Sequence, residues 1–162
     1  MDPSLIKFLC ERAGEVTKLL TDVQLFKGEL RERVIELRPL IDVRSQNSVK
    51  QFFWREPNEL ADYLVHEVEV SPSLKVAVDT IISPAGWRIE IVNRNPRAGT
   101  AEVRDLLKDL DIPFEEIERG RRLLHPDRFD FGASIEHVGS RLQPIIDALV
   151  LGSGEQANEK PM

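Results

Sequence analysis

The pattern of apolar positions divides the chain at about residue 42. Before that point the spacing is seven. Leu9, Val16, Val23, Leu30 and Leu37 form one series, and Ile6, Ala13, Leu20, Lys27, Val34 and Ile41 form a second. All but Lys27 are apolar, which is the seam of a coiled coil sustained over five heptads. Asp2 and Pro3 open such a helix well, with an acceptor side chain at the N-cap and proline at the first helical position. Pro39 marks its last turn. A helix of that length would run about 60 Å and cannot bury its stripe alone, so the pattern predicts a partner. Leu5, Leu19 and Phe26 widen the apolar face, whereas Lys27 inside the seam favours a low oligomer number because its stem can snorkel from a narrow core. Gly14 and Gly28 each weaken the helix by about 1 kcal/mol, which leaves open a helical hairpin turning near Thr21 and Asp22. The heptad phase passes that point without a slip, so one continuous helix is expected.

After residue 42 the period changes. Residues 43–50 have none and read as a linker. Gln51-Phe52-Phe53-Trp54-Arg55 is the densest aromatic cluster, expected to plug the start of a globular core, with base stacking as the alternative. Pro57 opens an expected helix carrying Leu60, Leu64 and Val68 on one stripe and leaving His66 at the surface; alternation over Val65–Val70 admits a strand for its second half. The strongest β signal is the pair Leu74–Ile82 and Trp87–Val92 around Ser83-Pro84-Ala85-Gly86. If Ile82 faces Trp87, then Thr80 faces Ile89 and Val78 faces Ile91, and one face is almost wholly apolar. A one-residue slip would mix the faces, so the first register should win. It places Asp79 directly opposite Glu90, with Ala77 against Val92 and Lys75 against Arg94. Thr100 can cap a helix to Leu110 with Val103, Leu106, Leu107 and Leu110 inward. Residues 114–131 read as a weaker hairpin around Gly120 or as a short helix. Ser134 can cap a last helix whose inward face is Ile135, Val138, Leu142, Ile145, Ile146 and Leu149, with a kink at Pro144. The expected architecture is therefore α+β. A coiled-coil oligomerisation helix (1–42) precedes a linker and aromatic segment (43–56), an α+β domain with an antiparallel hairpin or sheet packed by helices (57–151) and a disordered polar tail (152–162).

Composition narrows the function classes. A net charge of −6 disfavours general nucleic-acid binding. One cysteine, Cys10, permits no intramolecular disulfide and suits a reducing compartment. No apolar run nears the roughly 20 residues that span a bilayer, and the first residues lack the marks of a secretory signal. The expectation is a cytoplasmic protein. No glycine-rich phosphate loop, cysteine–histidine metal spacing or internal repeat is present, so no cofactor or metal is called for.

Two constellations invite comparison. His125-Pro126-Asp127, followed by Arg128-Phe129, resembles the tripeptide that J-domain co-chaperones present between two helices to stimulate a partner ATPase, and Arg141–Leu149 is similar to that family's last core helix. The resemblance implies one helix over Phe114–Leu124, yet Gly120 interrupts that stretch and it is short for the family's basic helix. Separately, Asp79 and Glu90 on adjacent strands are similar to the acidic pair of the PD-(D/E)XK nuclease core. That resemblance implies a divalent cation held by the two acids and a lysine two residues past the second. Val92 stands at that position, leaving Lys75 on the same face as the available substitute. The leading expectation is a non-catalytic, homo-oligomeric interaction or regulatory module, most simply a dimer. Its seam would be Ile6, Leu9, Ala13, Val16, Leu20, Val23, Leu30, Val34, Leu37 and Ile41, and its partners itself and another protein. A metal-dependent nuclease subunit is the first alternative.

Overall fold

In the computed structural model, which describes residues 1–43, 47–95 and 100–154, the Asp2 carboxylate accepts the Ser4 N–H at 2.8 Å and Pro3 is the first helical residue. Helix α1 (Pro3–Glu11) and helix α2 (Ala13–Leu37) are separated only by Arg12, whose backbone leaves the helical region. Arg12 still donates to the Phe8 carbonyl at 3.0 Å, and its own carbonyl accepts from Val16 at 2.9 Å. The hydrogen-bond ladder therefore crosses the break, which is a kink. Thr21 and Asp22 lie inside α2, so no hairpin turns there. A 3-10 turn containing Pro39 ends the segment.

The rest of the chain builds a six-stranded antiparallel sheet. Its strands are β1 (Val49–Trp54), β2 (Asp62–Ser71), β3 (Leu74–Ser83), β4 (Gly86–Asn93), β5 (Glu115–Ile117) and β6 (Arg122–Leu124), in the order β1-β2-β3-β4-β6-β5. Two helices complete the fold, α3 (Ala101–Leu107) before β5 and α4 (Ile135–Gly152) after β6. The central hairpin pairs Ile82 with Trp87, Thr80 with Ile89, Val78 with Ile91 and Asp79 with Glu90, the register that the apolar face demands. Gly86, at φ 103°, closes its turn. A β-carbon there would collide with the Phe129 carbonyl, which accepts the Trp87 N–H at 2.8 Å.

Three expectations are corrected. The segment after Pro57 is not a helix. Leu60, Leu64 and Val68 are spaced by four, which suits a helical stripe and equally one face of a strand, and pairing with β1 and β3 decides for the strand. His66 consequently points into the core and is fully buried, where the Gln51 amide meets its Nε2 at 2.9 Å. Thr100 stands at the N-cap of α3, but its hydroxyl donates to Glu116 at 3.2 Å instead of capping. Residues 114–131 resolve toward the hairpin reading, as β5 and β6. Ser134 caps α4 as expected, accepting from His137, and that helix continues through Pro144. The expected linker falls partly on residues 44–46 and most of the expected tail on 155–162, outside the described residues, while Gly152 still belongs to α4.

One face of the sheet carries the core. The end of α2 lies on it together with α3 and α4: Leu30, Val34, Leu37 and Ile41 pack with Leu64, Val68, Val76, Val78 and, from α4, Val138, Leu142, Ile145 and Leu149. Each such side chain contributes about 1.5–3 kcal/mol by leaving water. These four members of the heptad seam are thus occupied inside their own chain, and the sheet begins at Val49, within the expected linker and aromatic segment. A buried charge cluster fixes the helix to the sheet. Asp62 Oδ2 accepts from Arg31 of α2 at 2.8 Å and from Arg55 at 2.6 Å, and Arg55 also donates to the Lys27 carbonyl at 3.0 Å.

Candidate functional site

Alternation sends the other side chains of each strand to the opposite face. Phe52 and Trp54 of β1, Tyr63 and Val65 of β2, and Asp79 of β3 share it with Arg88 and Glu90 of β4 and Arg122 of β6. Together they line a cleft of about 490 Å³. The aromatic cluster of the sequence is therefore split: Phe53 packs against the core and carries the Arg31 and Arg38 guanidiniums 5.0 and 5.1 Å from its ring centre. Phe52 and Trp54 face the cleft instead.

Asp79 does sit opposite Glu90, and the group between them is Arg122. Its Nη1 donates to Asp79 Oδ2 at 2.9 Å and to Glu90 Oε2 at 3.1 Å, while its Nε donates to Glu118 at 3.2 Å. Arg88 adds a bond to Glu90 at 2.9 Å. Lys75 lies 3.8 Å from Glu67 and takes no part in the acidic pair. Arg88 and Arg122 thus compensate the two facing acids. Glu118 and Arg119, at the tip of the β5–β6 hairpin, both hold left-handed backbone conformations at φ 52° and 58°. Burial raises the Asp79 pKa above the ordinary carboxylate value, against the pull of Arg122. Asp79 Oδ1 is buried with no hydrogen-bond partner among the described residues.

This geometry weighs on the two resemblances. The place that a divalent cation would take between Asp79 and Glu90 holds a guanidinium. Among the described residues no group of three or more histidine, cysteine or acidic side chains is arranged to hold a metal ion. His125 is buried, accepts the Asp127 N–H on Nδ1 at 3.0 Å, and stands edge-on to Phe114. Asp127 meets Arg141 at 3.3 Å. The tripeptide closes a turn between β6 and α4, and the single helix that a J-domain needs ahead of it is replaced by two strands.

A second candidate is the helical arm. The N-terminal part of the seam contributes no residue to the buried core: Ile6, Leu9, Ala13, Val16, Leu20 and Val23 are exposed or half-buried. Leu5, Phe8, Leu19 and Leu25 are exposed beside them, and Cys10 is exposed on α1. The arm ends at Phe26, which stacks on Phe131 at 5.6 Å.

The missed residue is Arg122. Gly120-Arg121-Arg122 marks a turn followed by a charge, but nothing local says that β6 lies against β4, 32 residues away in sequence. The fold defines an α+β protein with one helix-covered sheet face and one charged, open one. No family model, curated protein or solved structure matches the chain.

Proposed function

We propose that the protein is a non-catalytic, homo-oligomeric interaction or regulatory module, assembled as a dimer through residues 6–23 of its helical arm and acting on another protein. The observation that carries this reading is the division of the heptad seam. Leu30, Val34, Leu37 and Ile41 are buried in the chain's own core, while Leu20 remains 60% exposed and the other seam positions from Ile6 to Val23 stay exposed or half-buried. The heptad phase is unbroken across both parts, so the exposed part keeps the spacing that a second copy of the same arm would match. Helices in proteins draw most of their stability from packing an apolar face, which favours a partner for the arm. The acidic net charge directs the reading toward protein partners over nucleic acid.

Two substitutions in the seam test it, because they should now behave differently. Leu20→Asp should leave the fold intact and dissociate the dimer, raising its dissociation constant by roughly two decades or more, since each copy loses about 1.5–3 kcal/mol of burial and gains a desolvated charge. Leu30→Asp should unfold the sheet domain, because Leu30 is fully buried within the chain. Sedimentation at tens of micromolar, with circular dichroism on the same samples, reads both outcomes. A wild-type protein that sediments as a monomer would overturn the reading, as would a Leu20→Asp protein that remains dimeric.

A further inference from the structure

The cleft on the open sheet face is short of positive charge. Five carboxylates line it (Glu56, Glu59, Asp79, Glu90 and Glu118) against three guanidiniums (Arg88, Arg94 and Arg122), an excess of two negative charges. Arg122 is divided among three of those acids, and Arg94 lies toward Glu67, which is not part of the lining. Asp79 is paired with Arg122 through Oδ2 alone. Asp79 is only 5% exposed, and its Oδ1 has no partner among the described residues. A buried carboxylate oxygen without a donor is costly, and a donor arriving from solution would relieve that cost. Asp79 itself lines the cleft, with Oδ2 held by Arg122 at 2.9 Å. The far wall is aromatic. Trp54 is 51% exposed there and offers a ring face to a cation.

We propose that this cleft binds an organic cation, a guanidinium or alkylammonium group on a short chain, held between the Trp54 ring and the Asp79 carboxylate. Its volume falls within the range of small-ligand sites. A phosphate or carboxylate ligand would meet the acidic excess, and a bare divalent ion would have to displace the Arg122 guanidinium. An amine or guanidinium supplies both things the cleft lacks, a positive charge and N–H donors. The same chemistry comes from a free diamine or from an arginine side chain of another protein.

The test uses the full-length chain and its two tryptophans. Trp87 is buried in the core, so a change in fluorescence on titration reports Trp54. Agmatine and a seven-residue peptide with one central arginine are the probes. At least one should saturate with a dissociation constant below about 1 mM. Asp79→Asn keeps the shape but removes the charge, and calorimetry should show binding weakened about tenfold or more. Trp54→Leu should weaken it severalfold. Should Asp79→Asn fail to fold, Glu118→Gln, at the exposed hairpin tip, should still weaken binding. Peptide binding tighter than agmatine assigns the cation to a protein partner, and equal or weaker binding assigns it to a free amine; both support the site. Saturation by neither probe would overturn the proposal, as would equal binding by the variants or displacement of the probe by equimolar Mg²⁺. Sedimentation reads the assembly of the arm separately, so failure here is distinct from failure of the dimer.

Discussion

Replacing Asp62 by asparagine tests how the helix is held on the sheet. The carboxylate is fully buried, with Oδ2 accepting from Arg31 Nε and from two nitrogens of Arg55, while Oδ1 accepts the Tyr63 N–H at 2.9 Å. Asparagine has the same size and can keep the Tyr63 bond. Its amide nitrogen must then face the three N–H donors that the lost oxygen served. Removing one partner of a buried pair costs about 3–5 kcal/mol. Here the Arg31 and Arg55 side chains are 29% and 34% exposed, so water recovers part of the loss, and we expect about 2–3 kcal/mol. With a urea slope of about 2 kcal/mol/M, the midpoint should fall by roughly 1–1.5 M. Arg31→Met should cost less, because Arg55 keeps Asp62 paired. Equilibrium unfolding followed by circular dichroism measures both. A loss under about 0.5 kcal/mol for Asp62→Asn would refute the view that this cluster, and not apolar packing alone, fixes α2 to β2.

Two further outcomes follow from single positions. Burial, then the nearby Arg38 charge, hold the His66 pKa down to about 4, so below pH 6.5 the unfolded chain takes up a proton that the folded chain refuses. Stability should therefore fall as pH drops from about 6.5 to about 4, by up to roughly 3 kcal/mol, and the difference between wild type and His66→Gln in urea midpoint should track that window; a pH-independent difference would refute the assignment. Gly28 lies in α2 with open space where a β-carbon would stand, so Gly28→Ala should stabilise the protein by about 0.5–1 kcal/mol in the same unfolding assay, and a destabilised variant would refute it.

What was legible in the sequence depended on whether a local pattern had one solution. The β3–β4 register did, because a slip of one residue would have sent Ile89 and Ile91 to the wrong face. Helix α4 did as well, with a cap and a repeating inward face. The heptad seam had two solutions. It stated that a partner was required but not that the sheet would serve for Leu30 through Ile41. The stretch before β3 failed for a related reason. Spacing of four satisfies a helix and a strand alike, and the error carried His66 to the surface when its imidazole belongs in the core beside Gln51. Arg122 was hidden by distance, since its partners Asp79 and Glu90 lie on strands that only the folded sheet brings near.

The costs in this fold are unevenly placed, and where they fall bears on use. The sheet-packing helices α2 and α4 lie on one face, which is apolar and closed. On the other face, two like charges stand directly opposite, at up to about 1 kcal/mol for such a pair. Near them are a buried carboxylate oxygen with no partner among the described residues and a hairpin tip with two non-glycine residues in the left-handed region, each about 1–2 kcal/mol by the same kind of count. Arg88 and Arg122 offset that repulsion, and an apolar pair at positions 79 and 90 would leave both guanidiniums without these partners. Glu118 is one of the strained residues, and its carboxylate accepts Arg122 Nε at 3.2 Å while Nη1 reaches Asp79 and Glu90. The strained hairpin tip and the three-way sharing of Arg122 thus belong to one arrangement. That is the pattern expected where local rules are broken for binding and not for folding.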